Sequence, residues 1–178
     1  MALPDPLGTD RALDLARAGD ERGFVALYRD LQPPLLRYLT VKSPDGAEDV
    51  AAEVWLHVVR DLATFAGDAD AFRGWVFTVA RHRAIDHGRA RAARPSVPVA
   101  EPDAGERAPS AEAEAIERDA TRRAVALVAT LPAEQAEMVM LRVVAGLDVE
   151  TVATIVGKKP GAVRVAVHRA LKTLRNQV

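Results

Sequence analysis

Apolar residues recur along most of this chain at three- and four-residue steps, so the pattern predicts a succession of helices. In residues 10–42, Leu13, Leu15 and Ala16 precede a break at Gly19, and Asp20 is placed to cap a helix carrying Phe24, Leu27, Tyr28 and Leu31. Pro33-Pro34 is expected to end that helix, because the residue before a proline is pushed out of helical space. Leu35, Leu36 and Leu39 then resume the pattern up to Ser43-Pro44. Asp45 is expected to cap the next helix, whose apolar face is Val50, Val54, Val58 and Leu62, widened by Ala47, Ala51 and Trp55. Glu48, Asp49, Glu53 and Asp61 lie off that stripe and make the opposite side acidic. After a turn-rich stretch from Thr64, Asp70 is expected to cap a helix with Phe72, Trp75, Val76, Val79, Ala80 and Ile85 on its apolar side.

Residues 95–110 contain four prolines, no apolar period and an acidic excess, which reads as an extended, flexible linker. It divides the chain into a helical domain over 10–94 and a second over 111–178. From Ala111 a helix is expected through Ile116, Ala120, Ala124, Leu127 and Val128 to Leu131. Pro132 opens another, with Met138, Val139, Leu141 and Val144 apolar, and Gly146 closes it. Beyond it, Val149, Val152, Ala153 and Val156 form a short apolar face, with Asp148 as its cap and Gly157 ending it in the left-handed conformation. Pro160 stands at the first position of a last helix, where no N–H donor is needed. Val163, Val167, Ala170, Leu171 and Leu174 are its buried stripe, and Arg164, Val165, His168, Arg169 and Lys172 face outward. Two helices, a tight turn and a basic outer face on the second match the docking geometry of a helix-turn-helix that reads the major groove. An ordinary helical hairpin with a solvated basic face has the same pattern, and this segment alone does not separate the two.

Composition narrows the classes. Of 178 residues, 49% are apolar but only 4% aromatic, so the core must be built mostly from Ala, Val and Leu. The absence of Cys excludes disulfides and thiolate metal sites. The first residues lack the basic and apolar regions of a signal peptide, and no stretch approaches the ~20 apolar residues of a membrane span. A cytoplasmic location is expected. The net charge of −1 conceals segregation. Residues 95–119 hold 2 basic against 7 acidic residues, and residues 120–178 hold 9 against 4. Residues 71–94 hold six Arg against one acid, Asp86. Two basic surfaces are therefore separated by an acidic connector.

The acidic side of the helix around Glu53 reads either as a solvated face or as a docking surface for a basic partner. Trp75 and Phe77 at the start of an arginine-rich helix either stack on unpaired bases or fill the core; Trp55 is assigned to the core. Glu53 and His57, like His82 and Asp86, are four apart and share a helix face. Asp61 rises about 12 Å from Glu53, too far to share one ion, so these are surface polar pairs. No Gly-rich phosphate loop and no activated-nucleophile pattern occurs. No metal, cofactor or enzymatic activity is expected.

Several segments together resemble a bacterial RNA polymerase sigma factor of the extracytoplasmic-function group. FVALYRDLQPPLLRYL, AEDVAAEVWLHVVRDLATF and FRGWVFTVARHRAID are similar to its region 2. LVATLPAEQAEMVMLRVVAGLDVETVATIVGKKPGAVRVAVHRALKTLR is similar to its region 4. The resemblance implies an all-α protein of two small helical domains that binds core RNA polymerase and directs promoter recognition and opening. It implies docking to the largest polymerase subunit through Glu48, Asp49, Glu53, His57 and Asp61. The −10 element would be captured by Asp68, Asp70, Arg73, Trp75, Arg81, His82 and Arg83. His82 stands where the group often has an asparagine.

The −35 element would be met by the last two helices. Lys158 and Lys159 are assigned to phosphates, which set register, and Arg164, Val165 and His168 to base edges. Arg169 and Lys172 can serve either role. The usual hydroxyl residue near the start of the reading helix is missing. The linker resembles the connector threaded through the polymerase, which would also bring in the second-largest subunit, and an anti-sigma factor is an implied partner. The alternative is a helix-turn-helix regulator that binds DNA alone, with residues 1–94 as a sensor. It leaves the aromatic-headed, arginine-rich helix unexplained.

Overall fold

The computed structural model describes residues 8–93 and 112–177. The linker expected over 95–110, together with Arg94, Ala111 and the first seven residues, lies outside them. Within the described residues the chain is helical and contains no strand. Four helices form the first half: α1 (Thr9–Arg17), α2 (Glu21–Lys42), α3 (Ala47–Asp61) and α4 (Ala69–Ala92). Four more form the second: α5 (Glu112–Ala129), α6 (Ala133–Val139), α7 (Val149–Val156) and α8 (Pro160–Arg175). A π-helical turn, Met140–Val144, extends α6.

Helix α2 departs from expectation, for it runs unbroken through Pro33 and Pro34. The prolines cost the hydrogen bonds that the carbonyls of Arg29 and Asp30 would accept. Both of those residues are exposed, so the prolines fall on the solvent side of the helix, where a freed carbonyl costs least. The stripe Leu27, Leu31, Leu35, Tyr38 and Leu39 is buried on both sides of the prolines and holds the helix together across them. Asp20 caps α2 as expected, its carboxylate accepting the Arg22 N–H at 2.9 Å.

Two other caps move. Pro44–Gly46 forms a 3₁₀ turn that places Asp45 before the helix, so α3 starts from Gly46 without a side-chain cap. Asp45 pairs instead with Arg91 of α4 at 3.3 Å. Helix α4 starts two residues earlier than expected: Asp68 accepts the Ala71 N–H at 2.8 Å, and Asp70 lies within the first turn.

Val50, Val54, Val58, Trp55 and Leu62 are buried where α3 meets α2 and α4, and Phe72, Val76, Phe77 and Ala80 face them from α4. The Trp55 indole N–H donates to Gln32 at 2.6 Å. Helix α1 lies so close to α2 that a methyl on Gly23 would sit 2.5 Å from the Ala12 carbonyl oxygen and the Ala16 nitrogen. In the second half, Val152, Ala153 and Ile155 of α7 and Val163, Val167 and Ala170 of α8 close the helix-turn-helix, with α6 packed on α8. Leu171, expected in that stripe, is 43% exposed. It lies about 80° round the helix from Val163, at the edge of a narrow seam.

The two halves touch. α2 packs on α5 and α6, and α4 packs on α7.

Candidate nucleic-acid interface

The helix-turn-helix is built by local chemistry. Asp148 accepts the Thr151 N–H at 2.8 Å and the Thr151 hydroxyl at 2.7 Å. Those bonds, the hydroxyl's first, hold the carboxyl below its ordinary range. Gly157 takes φ 69° and ψ 38°, the left-handed cap that turns the chain toward α8. Lys159 precedes α8 with no side-chain cap. Pro160 brings no N–H, and the Ala162 and Val163 N–H groups return to the Lys159 carbonyl at 2.9 and 3.2 Å, which leaves the Gly161 N–H for an anion. Lys158 and Lys159 stand just ahead of it and are exposed; Lys158 also pairs with Glu134 at 3.1 Å.

Arg164, Val165, His168, Arg169 and Lys172 all lie exposed on α8. Arg164 is tied to Glu150 of α7 at 2.7 Å, a bond that links the two helices of the motif and that pattern reading did not foresee.

The front of α4 is aromatic. Trp75 is half-buried: Phe65 stacks on it with centroids 5.1 Å apart and planes at 24°, Phe72 lies 5.8 Å away and His57 6.0 Å. Phe77 is fully buried and packs edge-on against Tyr38, which assigns it to the core. Helix α1 braces the loop ahead of α4. Asp10 accepts the Ala69 N–H at 2.9 Å, and Arg17 donates to the Gly67 carbonyl with its guanidinium 5.3 Å from the Phe65 ring centre. Asp10 and Arg17 could not be found from periodicity, because their partners lie 59 and 50 residues on.

Among the cations of this face, His82 is exposed and Arg83 reaches His57 at 3.3 Å. Arg73 pairs with Asp30 at 2.5 Å and donates to the Ala145 carbonyl at 3.4 Å, across the boundary between halves. Arg81 also crosses it, to Glu137 at 3.0 Å.

On α3 the acidic row divides. Glu48, Asp49 and Glu53 are exposed, whereas His57 and Asp61 are partly buried and face each other at 3.3 Å. Arg60, at 2.7 Å, holds the Asp61 carboxyl below its usual range. The outer surface also presents Leu56, 72% exposed, and Val59, 57% exposed. Both lie off the inward stripe, so the helical period that marks the core gives no sign of them. An apolar and acidic strip of this kind fits a protein partner.

Glu137 was missed as well. It is 6% exposed on α6, and its carboxylate accepts from the Tyr38 hydroxyl at 3.0 Å, Lys42 at 2.8 Å and Arg81 at 3.0 Å. Burial first, and the neighbouring charge of Glu137 second, push the Tyr38 hydroxyl above its ordinary range and keep it a donor. The available signal was a lone carboxylate in the apolar run Ala136–Leu141.

Comparison with known proteins gives two family matches in chain order: Sigma-70 region 2 over residues 27–94 and Sigma-70, region 4 over residues 121–174. The chain is 34% identical over 178 residues to the ECF RNA polymerase sigma factor SigD of Mycobacterium tuberculosis, covering 95% of this chain and 83% of that protein. It is also 34% identical over 168 residues to the ECF RNA polymerase sigma factor ShbA of Streptomyces griseus, covering 88% of each. Among solved structures it is similar to CnrH in complex with the cytosolic domain of CnrY, with TM-score 0.62, 20% identity, and 95% and 96% of the two chains covered. It is similar too to the sigma factor RpoE in complex with the anti-sigma factor NepR from Bartonella quintana, with TM-score 0.59, 21% identity, and 86% and 94% covered. At these identities the two structures speak for the fold. Among the described residues no helix is long and apolar enough to cross a membrane.

Proposed function

The chain belongs to the extracytoplasmic-function (ECF) sigma factors of RNA polymerase, and on that footing we propose how its surfaces divide the work of starting transcription. As a sigma factor it directs promoter-specific initiation, a task of binding and not of covalent catalysis. The division of labour rests on one observation. Each matched region carries its own cation-bearing helix, α4 in region 2 and α8 in region 4, and region 2 adds an acidic, apolar strip on α3.

In this reading residues 10–94 dock on core polymerase and open the −10 element, 95–110 connect, and 111–178 meet the −35 element. Glu48, Asp49 and Glu53, with Leu56 and Val59 beside them, grip the coiled coil of the largest subunit. His57 and Asp61 sit behind that strip and join it to the aromatic front of α4. Phe65 and Trp75 take up unpaired bases, Arg73, Arg81, His82 and Arg83 hold the strand, and Asp68 and Asp70 shape the approach by starting the helix. Unstacking costs about a few kcal/mol per base, and strand binding with polymerase contacts supplies it without ATP. On the duplex side Lys158 and Lys159 hold phosphates, and Arg164, Val165 and His168 meet base edges, with Arg169 and Lys172 alongside. An anti-sigma factor is the regulatory partner this class of protein calls for.

Run-off transcription with core polymerase over a randomised promoter library tests the reading. Transcripts that depend on this chain and return a shared pair of upstream elements are expected. Promoter-specific binding by the free chain at physiological salt, with no gain in initiation by polymerase, would establish a stand-alone regulator instead.

A further inference from the structure

Among the described residues, Glu137 is the one charged side chain classed as buried, and neither promoter face uses it. It is presented by region 4 and held by region 2. Tyr38 and Lys42 come from α2, and Arg81 from α4, at sequence separations of 99, 95 and 56 residues. Two cations and a buried hydroxyl thus converge on one carboxylate, and those three groups form an anion cradle belonging to region 2 alone. The cleft beside it, about 210 Å³ and lined by Tyr38, Lys42, Leu131, Ala133 and Met140, runs along the same seam.

The closure that seats Glu137 also covers the front of α4. Arg73 donates to the Ala145 carbonyl, and the Thr151 methyl lies 2.9 Å from where a Cβ on Gly74 would stand. Two of the arginines assigned above to the −10 strand, Arg73 and Arg81, are therefore occupied by region 4.

We propose that the Tyr38–Lys42–Arg81 cradle is an anion site with two alternating occupants: the Glu137 carboxylate when the chain is closed, and a backbone phosphate of the unpaired −10 strand when it is open. This rests on the assignment of α4 to the −10 strand. A carboxylate and a phosphate diester each carry one negative charge and accept the same donors, so one cradle serves both. The cover over the cradle comes from region 4 itself, so Glu137 cannot leave a closed seam without stranding two cations and a buried hydroxyl; its three bonds and the seam are lost together, which makes open and closed two discrete states. The free chain then binds single strands poorly, and spreading regions 2 and 4 along a promoter uncovers the cradle as the strand arrives.

The experiment uses the full chain without polymerase. No native Cys interferes with labels at Glu21→Cys and Arg175→Cys, both exposed, whose separation reports closure. Fluorescence anisotropy with a 5′-labelled single strand of about 20 nucleotides reports binding across a salt series. Glu137→Gln is expected to widen the label separation, raise strand affinity about tenfold, and steepen the salt dependence by about two ions. Lys42→Met, which breaks the same latch from the cradle side, is expected to widen the separation without that gain in affinity. Circular dichroism of each variant confirms that both are folded, and Lys42→Met carries the test if Glu137→Gln is not.

An unchanged separation in both variants overturns the latch. Equal affinity gains in both overturn the phosphate site, since the gain then comes only from uncovering the rest of α4. Opening by Glu137→Gln with unchanged affinity overturns it as well. Run-off transcription by the wild-type holoenzyme is the separate check: initiation there, with any of these negative results, leaves the sigma assignment standing and removes the cradle alone.

Discussion

Arg164 joins two demands in one side chain. It faces outward from α8, where a base edge would lie, and is held by Glu150 at 2.7 Å, with both partners more than half exposed. An exposed pair of this kind contributes about 0–1 kcal/mol, so DNA can take the guanidinium from Glu150 at little cost. Replacing Arg164 with Ala is expected to reduce discrimination among −35 sequences by about 1–3 kcal/mol. Lys159→Ala should instead weaken binding to every −35 sequence alike and lower the salt slope by about one. Competition run-off on single-base −35 variants, with a salt titration, separates the two behaviours. Unaltered promoter preference in Arg164→Ala would remove Arg164 from the base-reading set.

At the scale of elements, α7 depends on its cap. Loss of the Asp148 carboxylate should cost about 1 kcal/mol, so Asp148→Ala is expected to melt earlier. Its carboxyl lies below the ordinary value of 3.8 in the folded chain. The cap's contribution is thus complete above that value and is lost as pH falls through the lower folded one. The melting difference between wild type and Asp148→Ala should stay constant from about pH 7 to pH 5 and shrink below about pH 4. A difference that grows on acidification would contradict the assignment.

Helix α2 offers the opposite case. An exposed helical Gly→Ala ordinarily gains about 1 kcal/mol. At Gly23 the new methyl meets backbone of α1 at 2.5 Å, with no flexible side chain to yield. Gly23→Ala is expected to destabilise the chain by about 1–3 kcal/mol in a denaturant melt, and a stabilised variant would show that α1 does not pack there.

For the whole molecule, the proposed closure and the proposed docking strip involve different partners. Asp49→Lys with Glu53→Lys reverses charge at two exposed positions off the buried stripe of α3, so the fold should stand. Capture of core polymerase by the doubly substituted chain is expected to fall by at least tenfold, in line with the about 1.4 kcal/mol that each such factor represents. Holoenzyme assembly at wild-type levels would place the docking surface elsewhere. Leu56 and Val59, both exposed, extend the strip and in the proposed docking would offer the polymerase an apolar anchor between the charges.

The sequence by itself determined whatever depends on neighbours in the chain. Helix stripes repeat within a few residues, the Asp148 and Gly157 caps act across one turn, and regions 2 and 4 carry their own local signatures. Local rules failed where a helix had support from elsewhere: Pro33-Pro34 interrupts the bonding of α2 but not the burial that holds it. The cap expected at Asp70 falls to Asp68, two positions earlier, and the one expected at Asp45 is lost to a 3₁₀ turn that starts α3 from Gly46; backbone geometry decides both. Tertiary structure alone decided what joins distant residues. Loop 65–69 rests on Asp10 and Arg17, Trp75 lies between Phe65 and His57, and Arg73 and Arg81 turn toward region 4. Glu137 meets its three partners only after the two halves come together. Periodicity has a reach of a few residues; a carboxylate buried by groups up to 99 positions away leaves no mark at that range.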